Sequence, residues 1–84
     1  RAEGGRVQIK SPVGGTFYRG RSRGAQAWVE EGGAVKKDAG VCSIEAMKIM
    51  NEIRAETDGK IERVLVESGE PVEYGQPLFL VRRG

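Results

Sequence analysis

Apolar residues along this chain come in short runs broken by glycine, proline and aspartate, the pattern of many short β-strands and not of helices. Val41-Cys42-Ser43-Ile44 and Leu78-Phe79-Leu80-Val81 are dense runs of strand length. Turn signals stand at Ser11-Pro12, Gly14-Gly15, Gly32-Gly33, Asp58-Gly59, Gly69 and Gly75 through Pro77. The runs also repeat. A shift of 37 places lays Val29-Glu30-Glu31-Gly32-Gly33-Ala34-Val35 on Val66-Glu67-Ser68-Gly69-Glu70-Pro71-Val72 with four of seven residues identical, and sets Val41 through Ile44 on Leu78 through Val81. Upstream the shift becomes 44, so that Ile9-Lys10 falls on Ile53-Arg54, Gly15 on Gly59 and Arg19 on Arg63. The chain is two copies of one unit, and the first copy carries seven extra residues between Arg19 and Val29.

Each unit predicts four strands: one ending near Ile9 or Ile53, one around Phe17 or Ile61 after a glycine turn, and two more short ones. Two such halves predict an all-β fold, a sandwich or flattened barrel of two four-stranded antiparallel sheets about a quasi-twofold axis. Its expected core is Ile9, Phe17, Val35, Cys42 and Ile44 with Ile53, Ile61, Val72, Phe79 and Val81. Glu45-Ala46-Met47-Lys48 is made of strong helix formers. It stands, however, where six residues must join the two units, and a hairpin is the economical connection. With Ala46 and Ile49 as flanking strand residues, Met47 and Lys48 occupy the tip. The two central residues of so tight a turn need positive φ, which Asn-Gly adopts easily and Met-Lys does not, so strain is expected there.

Composition narrows what such a fold can do. At 84 residues the chain is one small domain with one core, burying only about 60 to 65% of its unfolded surface. It has no histidine and one cysteine, which removes the usual metal sets, histidine-based triads and an internal disulfide. Cys42 alternates with Ser43 and pairs with Phe79 in the repeat, so it reads as a buried apolar residue. With no apolar run of membrane-spanning length and no signal-peptide pattern, a soluble, cytoplasmic domain without a membrane partner is expected. The net charge of +2 decides little. Arg19, Arg21 and Arg23 cluster, but only Phe17 and Tyr18 adjoin them, so a nucleic-acid partner is not expected.

Glu45-Ala46-Met47-Lys48-Ile49-Met50 resembles the biotinylation motif of biotin carboxyl carrier proteins, in which Ala-Met-Lys and a bulky apolar residue mark the modified lysine. The resemblance extends to Ser11-Pro12, Gly15-Thr16-Phe17-Tyr18-Arg19, Asn51-Glu52-Ile53 and Val66-Glu67-Ser68-Gly69. The seven extra residues fall where the carrier of multi-subunit acetyl-CoA carboxylase has a protruding thumb, which biotinyl domains of many other carboxylases lack. It implies a biotinyl/lipoyl-like domain over residues 7–82, with a thumb at about 19–28, the biotin hairpin at 45–50, and residues 1–6 as the end of a linker. Arg82 through Gly84 read as a frayed tail. The resemblance further implies biotin covalently bound on Lys48, flanked by Glu45, Ala46, Met47, Ile49 and Met50 as motif residues. Arg19, Gly20, Arg21, Ser22 and Arg23 become thumb contacts. The domain would be a non-catalytic carrier between biotin carboxylase and carboxyltransferase in malonyl-CoA formation for fatty acid synthesis. A biotin protein ligase would load it, in the cytoplasm, or in the plastid stroma if the source is a plant. There are departures: Gly14 stands where an apolar residue is common, and Gly20 through Gly24 are rich in arginine and poor in proline.

Duller readings compete at each position. Lys48 could be a solvated turn lysine, Met47 and Met50 core gap-fillers, and the arginines a solvated loop; a docking surface instead favours Met47 exposed and Met50 partly packed. A lipoyl domain also presents a lysine at a hairpin, but usually within Asp-Lys-Ala, and without the insertion. The biotinyl domain of another carboxylase is opposed by the insertion too. A small unmodified β-barrel that binds RNA or protein through the arginine cluster is the alternative of a different class.

Overall fold

The computed structural model describes residues 5–83. They form the eight strands that the repeat implies: β1 Arg6–Lys10, β2 Gly15–Tyr18, β3 Ala34–Val35, β4 Gly40–Ala46, β5 Ile49–Arg54, β6 Gly59–Val64, β7 Pro71–Val72 and β8 Pro77–Arg82. Two antiparallel sheets result, in the orders β1-β8-β6-β3 and β5-β4-β2-β7. Exchanging each strand with its repeat equivalent turns one order into the other, which is the quasi-twofold symmetry in topological form. The register obeys it too: Ile9 pairs with Phe79 as Ile53 pairs with Cys42, and Phe17 with Ile44 as Ile61 with Val81. One irregularity is not shared. The ladder between β6 and β8 shifts register between Ile61 and Arg63, whereas the equivalent pairing of β2 with β4 runs straight through Tyr18.

Neither half closes on itself. β1 pairs only with β8, and β5 only with β4, so each half lends an edge strand to the sheet built on the other. The turns interlock in the same way. Gly32 donates its N–H to the carbonyl of Ile61 at 2.8 Å, and Gly69, its equivalent, donates to Phe17 at 2.8 Å. Both glycines have positive φ, 88° and 94°, and so do Asp38 and its equivalent Gly75. Close approach explains another matched pair. A Cβ on Gly15 would lie 2.2 Å from the carbonyl oxygen of Glu45, and one on Gly59 would lie 2.5 Å from a methyl of Val81.

All ten residues expected in the core are buried in one cluster, joined by Val41, Ala55, Val66 and Leu78. Phe17 and Phe79, one from each half, meet at its centre with ring centroids 6.0 Å apart and tilted by 53°. Cys42 is fully buried in the same cluster, and burial pushes its thiol up to about 12, as befits an inert apolar residue. The ends depart from expectation. Arg6 and Arg82, expected in loose tails, are paired residues of β1 and β8, and Arg83 donates its N–H to the carbonyl of Gly5 at 3.1 Å. The cause is electrostatic as well as the ladder: Glu62 accepts from Arg6 at 2.8 Å and lies 3.7 Å from Arg82, which holds its carboxyl below the usual range. Residues 1–4 of the expected linker end, and Gly84, lie outside the described residues.

Because both halves share this core, truncation in either should unfold the whole. Phe79→Ala should cost about 3 to 5 kcal/mol, the range for a buried phenylalanine, in a single cooperative urea transition. A loss below about 1 kcal/mol, or two separate transitions, would contradict the shared core.

Candidate functional site

The junction of the halves is a two-residue hairpin in which Ala46 pairs with Ile49. Met47 and Lys48 form its tip with φ of 52° and 67°, so both stand in the left-handed region, the arrangement of a type I′ turn. Neither side chain eases that geometry as Asn or Gly would, so the flanking ladder must hold it. The register is continuous from Ala46 to Cys42 on β4 and from Ile49 to Ile53 on β5. One side chain adds to it. Asn51 donates its side-chain amide to the carbonyl of Ile44 at 3.2 Å and to that of Ile49 at 3.3 Å, one on each strand.

The tip is open. Met47 is 93% exposed, Ile49 63% and Met50 39%, while Glu45 and Ala46 are half-buried. Met47, Ile49 and Met50 are exposed apolar side chains, with Met50 the least open of them. Lys48 is exposed, and among the described residues no carboxylate lies within ion-pair distance of its amine. An amine so placed can be acylated by a partner without displacing any group of the domain.

The insertion folds as a loop whose neck is closed by the N–H of Trp28 donating to the carbonyl of Arg19 at 3.1 Å. Arg19, grouped with the thumb contacts from sequence, works at that neck instead. Its guanidinium donates to the carbonyl of Val29 at 2.9 Å and to Glu30 at 3.1 Å, and its Nε is buried without a partner among the described residues. Gly20 is buried there as well, and a Cβ on it would meet the carbonyl oxygen of Gln26 at 2.2 Å. Ser22 turns the loop, accepting at its carbonyl from Ala25 at 3.1 Å, and Arg23 stays exposed. Arg21 is the member that reaches β4. Its carbonyl accepts from the hydroxyl of Ser43 at 3.3 Å, and it lines a surface cavity of about 300 Å³ with Trp28, Ser43, Met50 and Glu52.

Sequence reasoning did not find Ser43, whose outward position on β4 should be wet. It is 2% exposed, whereas its equivalent Leu80, with no thumb above it, is only half-buried. Asn51 was missed as well. Its signal was available, since in the repeat it stands on Val7, a polar residue where the other copy has an apolar one.

Residues 7–81 match the family described as "Biotin-requiring enzyme", which takes in biotinyl and lipoyl domains. Among curated proteins, the chain is 52% identical over 73 residues to the biotin carboxyl carrier protein of acetyl-CoA carboxylase of Pseudomonas aeruginosa, covering 87% of this chain and 47% of that one. It is 47% identical over 76 residues to the protein of that name from Nostoc sp., covering 90% and 42%. With the chloroplastic carrier protein 2 of Arabidopsis thaliana it shares 49% identity over 73 residues, covering 87% and 29%. The chain spans less than half the length of these relatives. Among solved structures it is similar to a single-chain, multi-domain long-chain acyl-CoA carboxylase, with a TM-score of 0.80 and 26% identity over 95% of this chain and 7% of that one. The Kluyveromyces lactis urea carboxylase matches with a TM-score of 0.74 and 26% identity, over 90% and 6%.

The neck geometry gives a direct test of how the thumb is seated. Gly20→Ala should push the Gln26 carbonyl away and open the loop, so that the emission of Trp28, the chain's single tryptophan, shifts to the red and becomes easier to quench with acrylamide. The core does not involve the loop, so the urea midpoint should move little. Unchanged Trp28 emission would mean that the neck does not set the loop's position.

Proposed function

The chain belongs to the biotin-requiring enzyme family, and from that we propose that it is the biotin carboxyl carrier domain of an acetyl-CoA carboxylase, with biotin in amide linkage on Lys48. The observation that carries this reading is the exposed lysine at the tip of a two-residue hairpin, within Ala46-Met47-Lys48-Ile49-Met50. Loading requires a biotin protein ligase to bring biotinyl-adenylate to the tip. The amine nitrogen of Lys48 attacks the acyl carbon, the bond to the phosphate oxygen breaks, and AMP leaves as the amine loses its proton. Met47 and Ile49, both bare, are surfaces for it to read, with Glu45 and Met50 beside them.

Once bound, biotin supplies the chemistry, holding a carboxylate that biotin carboxylase adds and carboxyltransferase passes to acetyl-CoA to give malonyl-CoA. The domain itself contributes delivery, as a non-catalytic component. The fit is chemical as well as spatial. The cavity under the thumb mixes an indole, a thioether, a carboxylate and a guanidinium, a lining suited to a compact heterocycle with polar edges, and Met50 on its wall is two residues from Lys48. No helix among the described residues is long and apolar enough to cross a membrane. A fully buried, reduced Cys42 suits the cytoplasm, or the plastid stroma for a plant protein.

Two experiments test the reading. Co-expressed with ligase, the protein should gain the mass of one biotinyl group, localised to Lys48, and Lys48→Arg should keep the charge and the fold but lose all avidin binding. Avidin binding that persists in that variant would overturn the assignment. The thumb is tested separately by replacing residues 20–27 with a two-residue turn, which keeps the Arg19 to Trp28 neck. Shortening a loop alters closure entropy slowly, by about 0.6 kcal/mol per halving of length, so biotinylation should be retained. Malonyl-CoA formation in an assay with the other components should fall. If it does not, the thumb has no part in transfer.

A further inference from the structure

The repeat offers a control for residues near the hairpin, because positions of β5 have counterparts on β1. At the three positions that follow Asn51 the two copies agree in character: Glu52 stands on Gln8, Ile53 on Ile9, and Arg54 on Lys10. Asn51 breaks the agreement. Its counterpart Val7 lies on the same side of the strand as Ile9 and is half-buried, as Asn51 is, so the place accepts an apolar side chain. The strand ends explain why one copy does not carry one. Next to Val7, Arg6 continues the ladder with β8, whereas beyond Asn51 the chain must enter a turn with two non-glycine residues at positive φ.

We infer that Asn51 is a positioning residue for Lys48, its side-chain amide clamping the two strands of the hairpin together beneath the strained tip. This rests on Lys48 being the attachment point. The geometry is specific. Ala46 with Ile49 closes a two-residue hairpin, so the alternation of an antiparallel ladder makes 46–49 and 44–51 the hydrogen-bonded pairs, with Glu45 and Met50 as the pair between them that exchanges no backbone bonds. Asn51 Nδ2 reaches across that gap to Ile44 O at 3.2 Å and back along its own strand to Ile49 O at 3.3 Å. Each carbonyl has two lone pairs, so the amide adds to the ladder without displacing it. Valine at this half-buried place could make neither bond.

The consequence falls on the amine. A hairpin that opens readily offers Lys48 in many orientations, and only some meet an adenylate held in a ligase, so an unclamped tip slows acylation without changing the amine itself. The clamp acts before the cofactor is attached and needs no contact with the ligase.

The test uses Asn51→Val, the other copy's own residue, and Asn51→Asp, which keeps the shape but turns an acceptor toward two carbonyl oxygens. In the unbiotinylated protein, amide exchange at Ala46 and Ile49 should quicken roughly tenfold in Asn51→Val, the weight of about one net hydrogen bond, and more in Asn51→Asp. Exchange in β6 and β8 and the thermal midpoint of Asn51→Val should stay near those of the parent. Ligation should slow several-fold in kcat/KM for both variants. Adding Met47→Asn to Asn51→Val, which makes the left-handed turn easier by an independent route, should restore slow exchange at Ala46 and Ile49. Three outcomes would overturn the inference: unchanged exchange at the hairpin, ligation unaffected by faster exchange, or a midpoint that drops with protection lost throughout. If the parent proved to carry no biotin on Lys48, the attachment reading would fail instead, and the exchange measurements would still decide whether Asn51 holds the hairpin.

Discussion

Everything in this domain depends on the exchange of edge strands between its two halves. With β1 seated on β8 and β5 on β4, each sheet is made of two strands from either half. The turn at Gly32 caps the strand of Ile61, and the turn at Gly69 caps the strand of Phe17. A half alone would leave the flank of β4 or β8 without its partner and Phe17 or Phe79 without its facing ring. For a chain this short, where one core must supply nearly all the stability, that reciprocity makes the domain a single cooperative unit. A carrier gains from this. On the proposed function, a domain handled at one hairpin by its partners should not open locally when that hairpin is bound.

Much of this was readable in the sequence, because a repeat transfers information from one half to the other. Alone, Ala34-Val35 or Pro71-Val72 is too short to identify as a strand; laid one on the other they become equivalent strands, and both are. The same overlay placed all ten expected core residues and overruled the helix propensity of Glu45 through Lys48. Propensity is local and weak, whereas a six-residue connection between paired strands leaves few solutions.

What the sequence did not show were contacts that break the repeat. Ser43 is buried because the thumb lies over it, and nothing in β4 itself foretells that. Arg19 was grouped with the thumb by proximity in the chain, but its guanidinium is drawn to Val29 O and Glu30 and works at the loop's neck. Arg6 and Arg82 were read as loose because terminal charged residues commonly are. Here the ladder and the shared carboxylate of Glu62 hold them. In each case the deciding partner is far away in sequence and lies on the outer face, where hydrophobic patterning carries no signal.

The proposed function occupies the places where symmetry fails, and topology says why. Eight strands need seven connections; three of them occur twice, once in each half, and the seventh, from β4 to β5, occurs once. A side chain placed in a duplicated turn has a structural twin, and both turns are busy capping the opposite half. The unduplicated turn caps nothing. It is the one connection that can carry a poor turn sequence such as Met47-Lys48 on an exposed tip without disturbing the interlock. The thumb is the other asymmetry, added where one copy of a duplicated connection could lengthen because its neck, from Arg19 to Trp28, closes with a single backbone bond. It folds over β4 and meets Met50 at the edge of the same hairpin. Two departures from symmetry that arise far apart in the chain therefore converge on one end of one sheet, and a symmetric scaffold becomes one with a single working face.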